Sequence, residues 1–389
     1  MVTHQHLYSS VWGRENKSTG GAHCTHDECM TTLTFHELTD LADPQSADSA
    51  LIPTIHELVV QQNLRSMGHT DLVTPLETRR QAMLGSEYTT RLSFVAERGG
   101  EVVGMLHMSL PQKDNRSLVY VDTVAVDDDV EILDALFTLA DEVARKNDRS
   151  ILSTWEPHRG EPEAGDPNAL EAPTGVGRID ASEPLPALYL KHGWKLEQTE
   201  RYSVLPLPAP SDLLARLHAK ALAKAGAEYE IVHWQDHTPE EFLEGHASLQ
   251  RAMSTDVPHG DLEIEETVYD ADRILYFEKR IAEEDRGYVL FAARHIPTGD
   301  LAGFTRIEYA KAYQEPCFQE ETLVKKEHRG HALGMLVKTA AIAELAVVRP
   351  GVKRLHTWNA GENSYMLDIN VALGFEKRGI ESAWQKKLA

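Results

Sequence analysis

The chain has 389 residues, 42% apolar and 26% charged, an ordinary globular balance with room for two domains. Its 61 Asp and Glu against 39 Lys and Arg give a formal charge of −22, which argues against nucleic-acid or anionic-membrane partners and is compatible with a cationic substrate. No apolar run reaches membrane-span length, and Cys24, Cys29 and Cys317 are too few for a disulfide framework, so a cytoplasmic compartment is expected.

Residues 1–29 are polar and aperiodic and read as a disordered leader. Its His23, Cys24, His26 and Cys29 are crowded and lack a second ligand pair at finger spacing, so no metal is expected. From residue 30 the pattern becomes that of an α/β unit. "LSFVAERGGEVVGMLHMSL" is a hairpin about Gly99 and Gly100, "SLVYVDTVAV" a strand, "EILDALFTLADEVARKN" a helix and "RSILSTW" a strand. A Pro/Gly/acidic insertion then runs from Glu156 to Pro184 and reads as a mobile loop. The helix and strand of "LPALYLKHGWKLEQTERYSVLPL" follow, ending in the proline-rich linker "LPLPAP".

The order then repeats. Helices are expected at Pro239–Met253 and Ala271–Glu284, and "YVLFAARHIPTGDLAGFTRIEYA" is a hairpin. "CFQEETLVKK" is a third strand, and "EHRGHALG" leads into a helix that stops near Pro350 and Gly351. "KRLHTWNA", "ENSYMLDINVAL" and "GFEKRGIESAWQKKL" complete the copy. The expectation is two α/β units of one architecture, residues 30–205 and 206–389.

A glycine-bearing turn from strand to helix exposes backbone N–H groups at a positive helix end, where phosphate binds. "EHRGHALG" is neither a P-loop nor a dinucleotide fingerprint. Where the second copy has this turn the first has "VAVDDDVEILD", and three aspartates cannot cradle an anion.

At these residues the chain resembles the GCN5-related N-acetyltransferase superfamily. "RGHALG" (Arg329–Gly334) matches its acetyl-CoA pyrophosphate loop, R/Q-x-x-G-x-G/A, and "NAGENSYMLDINVALGF" (Asn359–Phe375) matches its later helix and Gly-Phe. The first half resembles the same fold in degenerate form. The resemblance implies two tandem acyltransferase folds, each a mixed α+β sheet splayed in the middle, with the second copy catalytic. It implies acetyl-CoA as cosubstrate and direct attack of an amine on the thioester. The loop backbone of Arg329, Gly330, His331, Ala332, Leu333 and Gly334 would hold pyrophosphate, with Leu323 or Val324 at the thioester and pantetheine and Asn359 and Asn363 nearby. Ala332 stands where glycine is common. The tyrosine that often serves as general acid is missing, Ile369-Asn370 holding its place, whereas the first copy keeps Tyr189.

An attacking amine must first lose a proton. Glu321 is the leading candidate base and Glu320 the second; strand alternation puts them on opposite faces. His328 is a candidate acid, base or phosphate contact. On the substrate side, Asp256, Asp261 and Glu263 suit an amine cation. The expected substrate is a small-molecule primary amine, with antibiotics and other natural products among the candidates, acted on by a monomer or homodimer. A protein or peptide amine, or a non-catalytic acyl-CoA-binding module, are the alternatives.

Overall fold

The computed structural model describes residues 32–388. The leader with His23, Cys24, His26 and Cys29 lies outside the described residues. The described chain packs as two compact units. Among the described residues no helix is long and apolar enough to cross a membrane.

One unit comprises residues 32–156, 180–196 and 383–388. Strands β1 (Leu33–Glu37), β2 (Thr89–Arg98), β3 (Glu101–Pro111), β4 (Leu118–Ala125) and β5 (Ile151–His158) lie side by side in that order. The helices are α1 (Ala47–Ala50), α2 (Ile52–Ser66), α3 (Leu76–Ala82), α4 (Val130–Lys146) and α5 (Pro184–Lys191). Helix α4 buries Ile132, Leu133, Leu136, Phe137, Ala140, Val143 and Ala144, a stripe at helical spacing. β4 and β5 are parallel and pair only at Leu118–Ile151, Val119–Leu152 and Tyr120–Ser153, although both run several residues further.

The aspartate run before α4 places a carboxylate at the helix start. Asp129 is the N-cap, and its Oδ1 accepts from the N–H groups of Glu131 and Ile132 at 2.9 and 3.3 Å. The donors that would face a phosphate are already satisfied by a carboxylate. Asp128 is tied to Arg65 at 2.7 Å.

The other unit comprises residues 157–179 and 197–382. Its elements are β6 (Ala169–Glu171), β7 (Arg178–Asp180), β8 (Lys195–Pro206), α6 (Ser211–Ala225), β9 (Tyr229–Gln235), α7 (Leu243–Asp256), α8 (Ala271–Glu283), β10 (Arg286–His295), β11 (Leu301–Ala310), β12 (Pro316–Val324), α9 (Leu333–Val348), β13 (Arg354–Ala360), α10 (Ser364–Leu373) and β14 (Glu376–Lys387). The sheet order is β8-β13-β12-β11-β10-β9. One face packs on α9, through Leu333, Leu336, Val337, Ala341, Ile342 and Leu345. The other packs on α7 and α8, through Leu249, Met253 and Ile281. Helix α9 is apolar nearly all round because it is covered on several sides.

Two features differ from the sequence expectation. The amphipathic segment Ser211–Ala225 forms a helix directly after the linker and packs on α9. The insertion is not a mobile loop, and this is a correction. It carries the β6–β7 pair, and Ala172 and Ile179 are buried. The carbonyl of Val176 accepts from Thr199 Oγ1 at 2.8 Å, and Lys377 pairs with Glu161 at 2.5 Å. A few apolar anchors and backbone bonds outweigh the composition that suggested disorder. The insertion and residues 197–205 come from the first sequence repeat, yet they pack with the second; residues 383–388 make the reverse exchange.

Candidate active site

Strands β12 and β13 are parallel and pair at only three positions, Pro316–Arg354, Cys317–Leu355 and Phe318–His356. Beyond Phe318 they part, and β12 has no strand bonded to the edge that faced β13. A narrow cleft opens there, with room of about 20 Å³. Its walls include Gln319, Glu320 and Thr322 of β12, Thr357 and Asn359 of β13, Lys338 of α9 and Met253 of α7. Glu200 of β8 and Asn363 and Met366, at the start of α10, complete the polar and apolar lining.

The loop after β12 leads to an anion-ready helix start. Gly330 has φ +90°, a conformation that favours glycine, although a Cβ there would meet nothing within 4 Å. Ala332 is the N-cap of α9, left-handed at φ +59°, and no side chain caps the helix. Its first N–H groups, which like those of any helix lack an intrahelical partner, are therefore left without the side-chain acceptor that α4 has. Leu333 and Gly334 turn into the core, while Arg329 and Gly330 are exposed and His331 is half-buried. These groups fit a pyrophosphate: open backbone donors at the positive end of a sixteen-residue helix. The left-handed alanine is strained by about 1–2 kcal/mol. Ala332→Gly is thus expected to raise stability by up to about 1 kcal/mol after the entropy cost of glycine, without weakening coenzyme A binding. A urea unfolding curve checks this, and a lower midpoint for the variant would contradict the strain.

Asp256 is engaged within the fold. It pairs with Lys326 at 2.8 Å and with Arg329 at 3.8 Å, bracing the loop. Asp261 and Glu263 are exposed on the connection between α7 and α8. His328 lies outside the cleft lining; its Nδ1 and the Tyr229 hydroxyl are 2.9 Å apart, and His295 and His331 pack around the same tyrosine. Burial first, then His295, lowers the pKa of His328. Leu323 is in the core and Val324 packs at its margin. Asn363 has two roles, lining the cleft and capping α10 by accepting from the Met366 N–H at 3.3 Å. Asn359 also lines the cleft, its Oδ1 accepting from Asn370 Nδ2 at 2.5 Å.

The two glutamates separate sharply. The register of β11 against β12 shifts between Arg306–Glu321 and Ile307–Gln319, leaving Glu320 as the extra residue of a bulge. Glu321 is buried, accepting from Gln250 at 2.8 Å and pairing with Arg306 at 3.1 Å. Arg306 also reaches Glu308 at 3.0 Å, and Arg286 bridges Glu308 and Glu284. Glu320 instead lines the cleft, half-buried, and no described hydrogen bond or ion pair holds it. Burial, with Glu308 adding, pushes its pKa up to about 8. Its carboxylate is therefore a stronger base than an ordinary glutamate.

The sequence did not point to Lys338 as a polar cleft residue, nor to Asn370 as the residue that holds it. Lys338 is buried, and its Nζ donates to Asn370 Oδ1 at 2.6 Å. The signal was visible: it is the one charged residue within "LGMLVKTAAIA".

Parallel strands that part after three pairs occur in both units, and one unit adds an uncapped, glycine-bearing helix start. Together they define a tandem GCN5-related N-acetyltransferase fold. The chain is similar to a solved tandem protein of this fold from the clavulanic acid biosynthesis pathway, with a TM-score of 0.69 and 23% identity over 92% of this chain and 98% of that one. It is also similar to a GCN5-related N-acetyltransferase from Sphaerobacter thermophilus, with a TM-score of 0.54 and 13% identity over 91% and 95% of the two chains. A third similarity is to a fungal multi-domain protein with a GCN5-related glucosamine N-acetyltransferase region, with a TM-score of 0.57 and 12% identity over 92% of this chain and 38% of that one. No protein-family model and no curated protein sequence matches the chain.

Proposed function

We propose that the chain moves an acetyl group from acetyl-CoA to the primary amine of a small, cationic molecule by direct attack on the thioester, in the unit that carries Arg329–Gly334. The observation that carries this reading is Glu320, which stands unpaired at a bulge on the cleft wall with its pKa pushed up to about 8. It takes the proton of the attacking ammonium, while the open edge of β12 offers N–H groups to the carbonyl oxygen as charge gathers there. Glu200 and Glu320 in the cleft and Asp261 and Glu263 outside it favour a cation. A natural-product pathway and glucosamine acetylation in the descriptions of similar structures support a small polar amine.

Thiol release from acetyl-CoA over a panel of aminoglycosides, amino sugars, polyamines and lysyl peptides tests the reading. Turnover is expected with at least one small amine. Turnover with peptides alone would move the assignment to protein acetylation. Tight coenzyme A binding without turnover on any acceptor would leave a binding module.

A further inference from the structure

We propose that Lys338 is the general acid that protonates the departing coenzyme A thiolate. This rests on the acetyl-transfer reading above. The amine nitrogen bonds to the acetyl carbon, the carbon–sulfur bond breaks, and the sulfur leaves with the electron pair. The surplus ammonium proton goes to Glu320, and the thiolate takes a proton from the Lys338 ammonium. The second proton leaves the nitrogen as the amide forms and, through solvent, restores the one Lys338 gave up, while Glu320 releases its own, so the products are an amide, a free thiol and one proton.

Three observations place the proton donor. Lys338 is on α9, five residues beyond Leu333, so its Cα is about 7.5 Å along the helix from the anion-ready start. Helical side chains lean back toward the N-terminus, which aims the amine along the path of a ligand held at that end. Lys338 lines the cleft wall, and its Nζ is fixed on Asn370, which in turn donates to Asn359 at 2.5 Å. Asn370 occupies the position where the first copy has Tyr189, so the lysine brings an acidic N–H to the place from which the hydroxyl is missing.

An inert lysine is a poor choice for this site. A buried ammonium is costly, and a glutamine or methionine would fill the space without that cost. Burial alone lowers the pKa of Lys338, to about 7, so it can give up its proton near neutrality. The other charged groups in the cleft lining are Glu320 of β12 and Glu200 of β8; Asn359, Asn363, Thr357 and Asn370 are neutral. The ring of Phe375 lies 5.5 Å from the amine.

Base and acid set opposite limbs of the pH profile. Glu320 must be ionised, so the rate rises through its pKa of about 8. Lys338 must be protonated, so the rate falls above its pKa of about 7. The product of the two populations is a bell centred near about pH 7.5.

The test compares the full chain with Lys338→Gln, which can keep the bond to Asn370, and Lys338→Arg, which keeps the charge but does not release its proton. Both are expected to bind coenzyme A within about twofold of the parent and to lose about 100-fold or more in kcat. Lys338→Gln is also expected to lose the alkaline limb, its residual rate rising through pH 8 and staying level. Carbon-13 NMR of the lysine ε-carbons in the parent protein with coenzyme A bound should show one resonance titrating near 7, absent from Lys338→Gln. A titration near 10, or a variant with parental kcat and an intact alkaline limb, would overturn the lysine and leave acetyl transfer standing. A parent protein that turns over no acceptor overturns both.

Discussion

Glu320→Gln is expected to lower kcat by about 10²–10⁴-fold while coenzyme A binding stays near the parental value. Glutamine preserves size and the bulge but cannot accept the ammonium proton. The pH profile makes the prediction specific. A carboxyl whose folded pKa is about 8 is mostly protonated at pH 7, so parental activity climbs from pH 6 toward its maximum near about pH 7.5. The acid limb should vanish in the variant. Glu321→Gln provides the contrast, since Glu321 spends its charge on Arg306 and does not line the cleft. Steady-state thiol release from pH 6 to 9 reads both. If Glu321→Gln abolished turnover and Glu320→Gln left it intact, the assignment of the base would be reversed.

Arg306→Met is expected to cost about 3–5 kcal/mol of stability, because it strands buried acids without their counter-charge. Arg306 is 1% exposed, pairs with Glu308 and Glu321, and lies 4.6 Å from the ring of Phe277. Glu284, Glu308 and Glu321 face three arginines, Arg306, Arg286 and Arg280, so removing Arg306 leaves the network one positive charge short. Adding Glu321→Gln to Arg306→Met removes one stranded charge and should recover part of the loss. Urea unfolding of the two proteins checks this; a single variant within 1 kcal/mol of the parent would contradict the network's role. Activity carries a second signature. Arg306 holds the Glu320 pKa down against burial, so its removal should push the acid limb to higher pH.

The loop Arg329–Gly334, the helix after it and the repeated order of elements were legible because each depends on local chemistry: glycine at a positive φ, apolar spacing, turn residues. The choice between Glu320 and Glu321 was not. It depends on the register against β11, and a single extra residue there decides which carboxylate meets the cleft. Asp256 read as a free acid because its partners, Lys326 and Arg329, are seventy residues away or more in sequence. Lys338 is hidden differently: within an apolar helix a lone lysine usually sends its charge to water, and only the packed structure reveals that this one does not.

The exchange of segments between the repeats bears on how such a gene can evolve. Residues 157–179 and 197–205 are inherited with the first copy but complete the unit built from the second, and residues 383–388 repay the loan. A recombination event at the linker would separate each copy from a piece its partner needs. The first copy has Asp129 where the second has an uncapped helix start, yet each copy still carries a segment that packs in the other's unit.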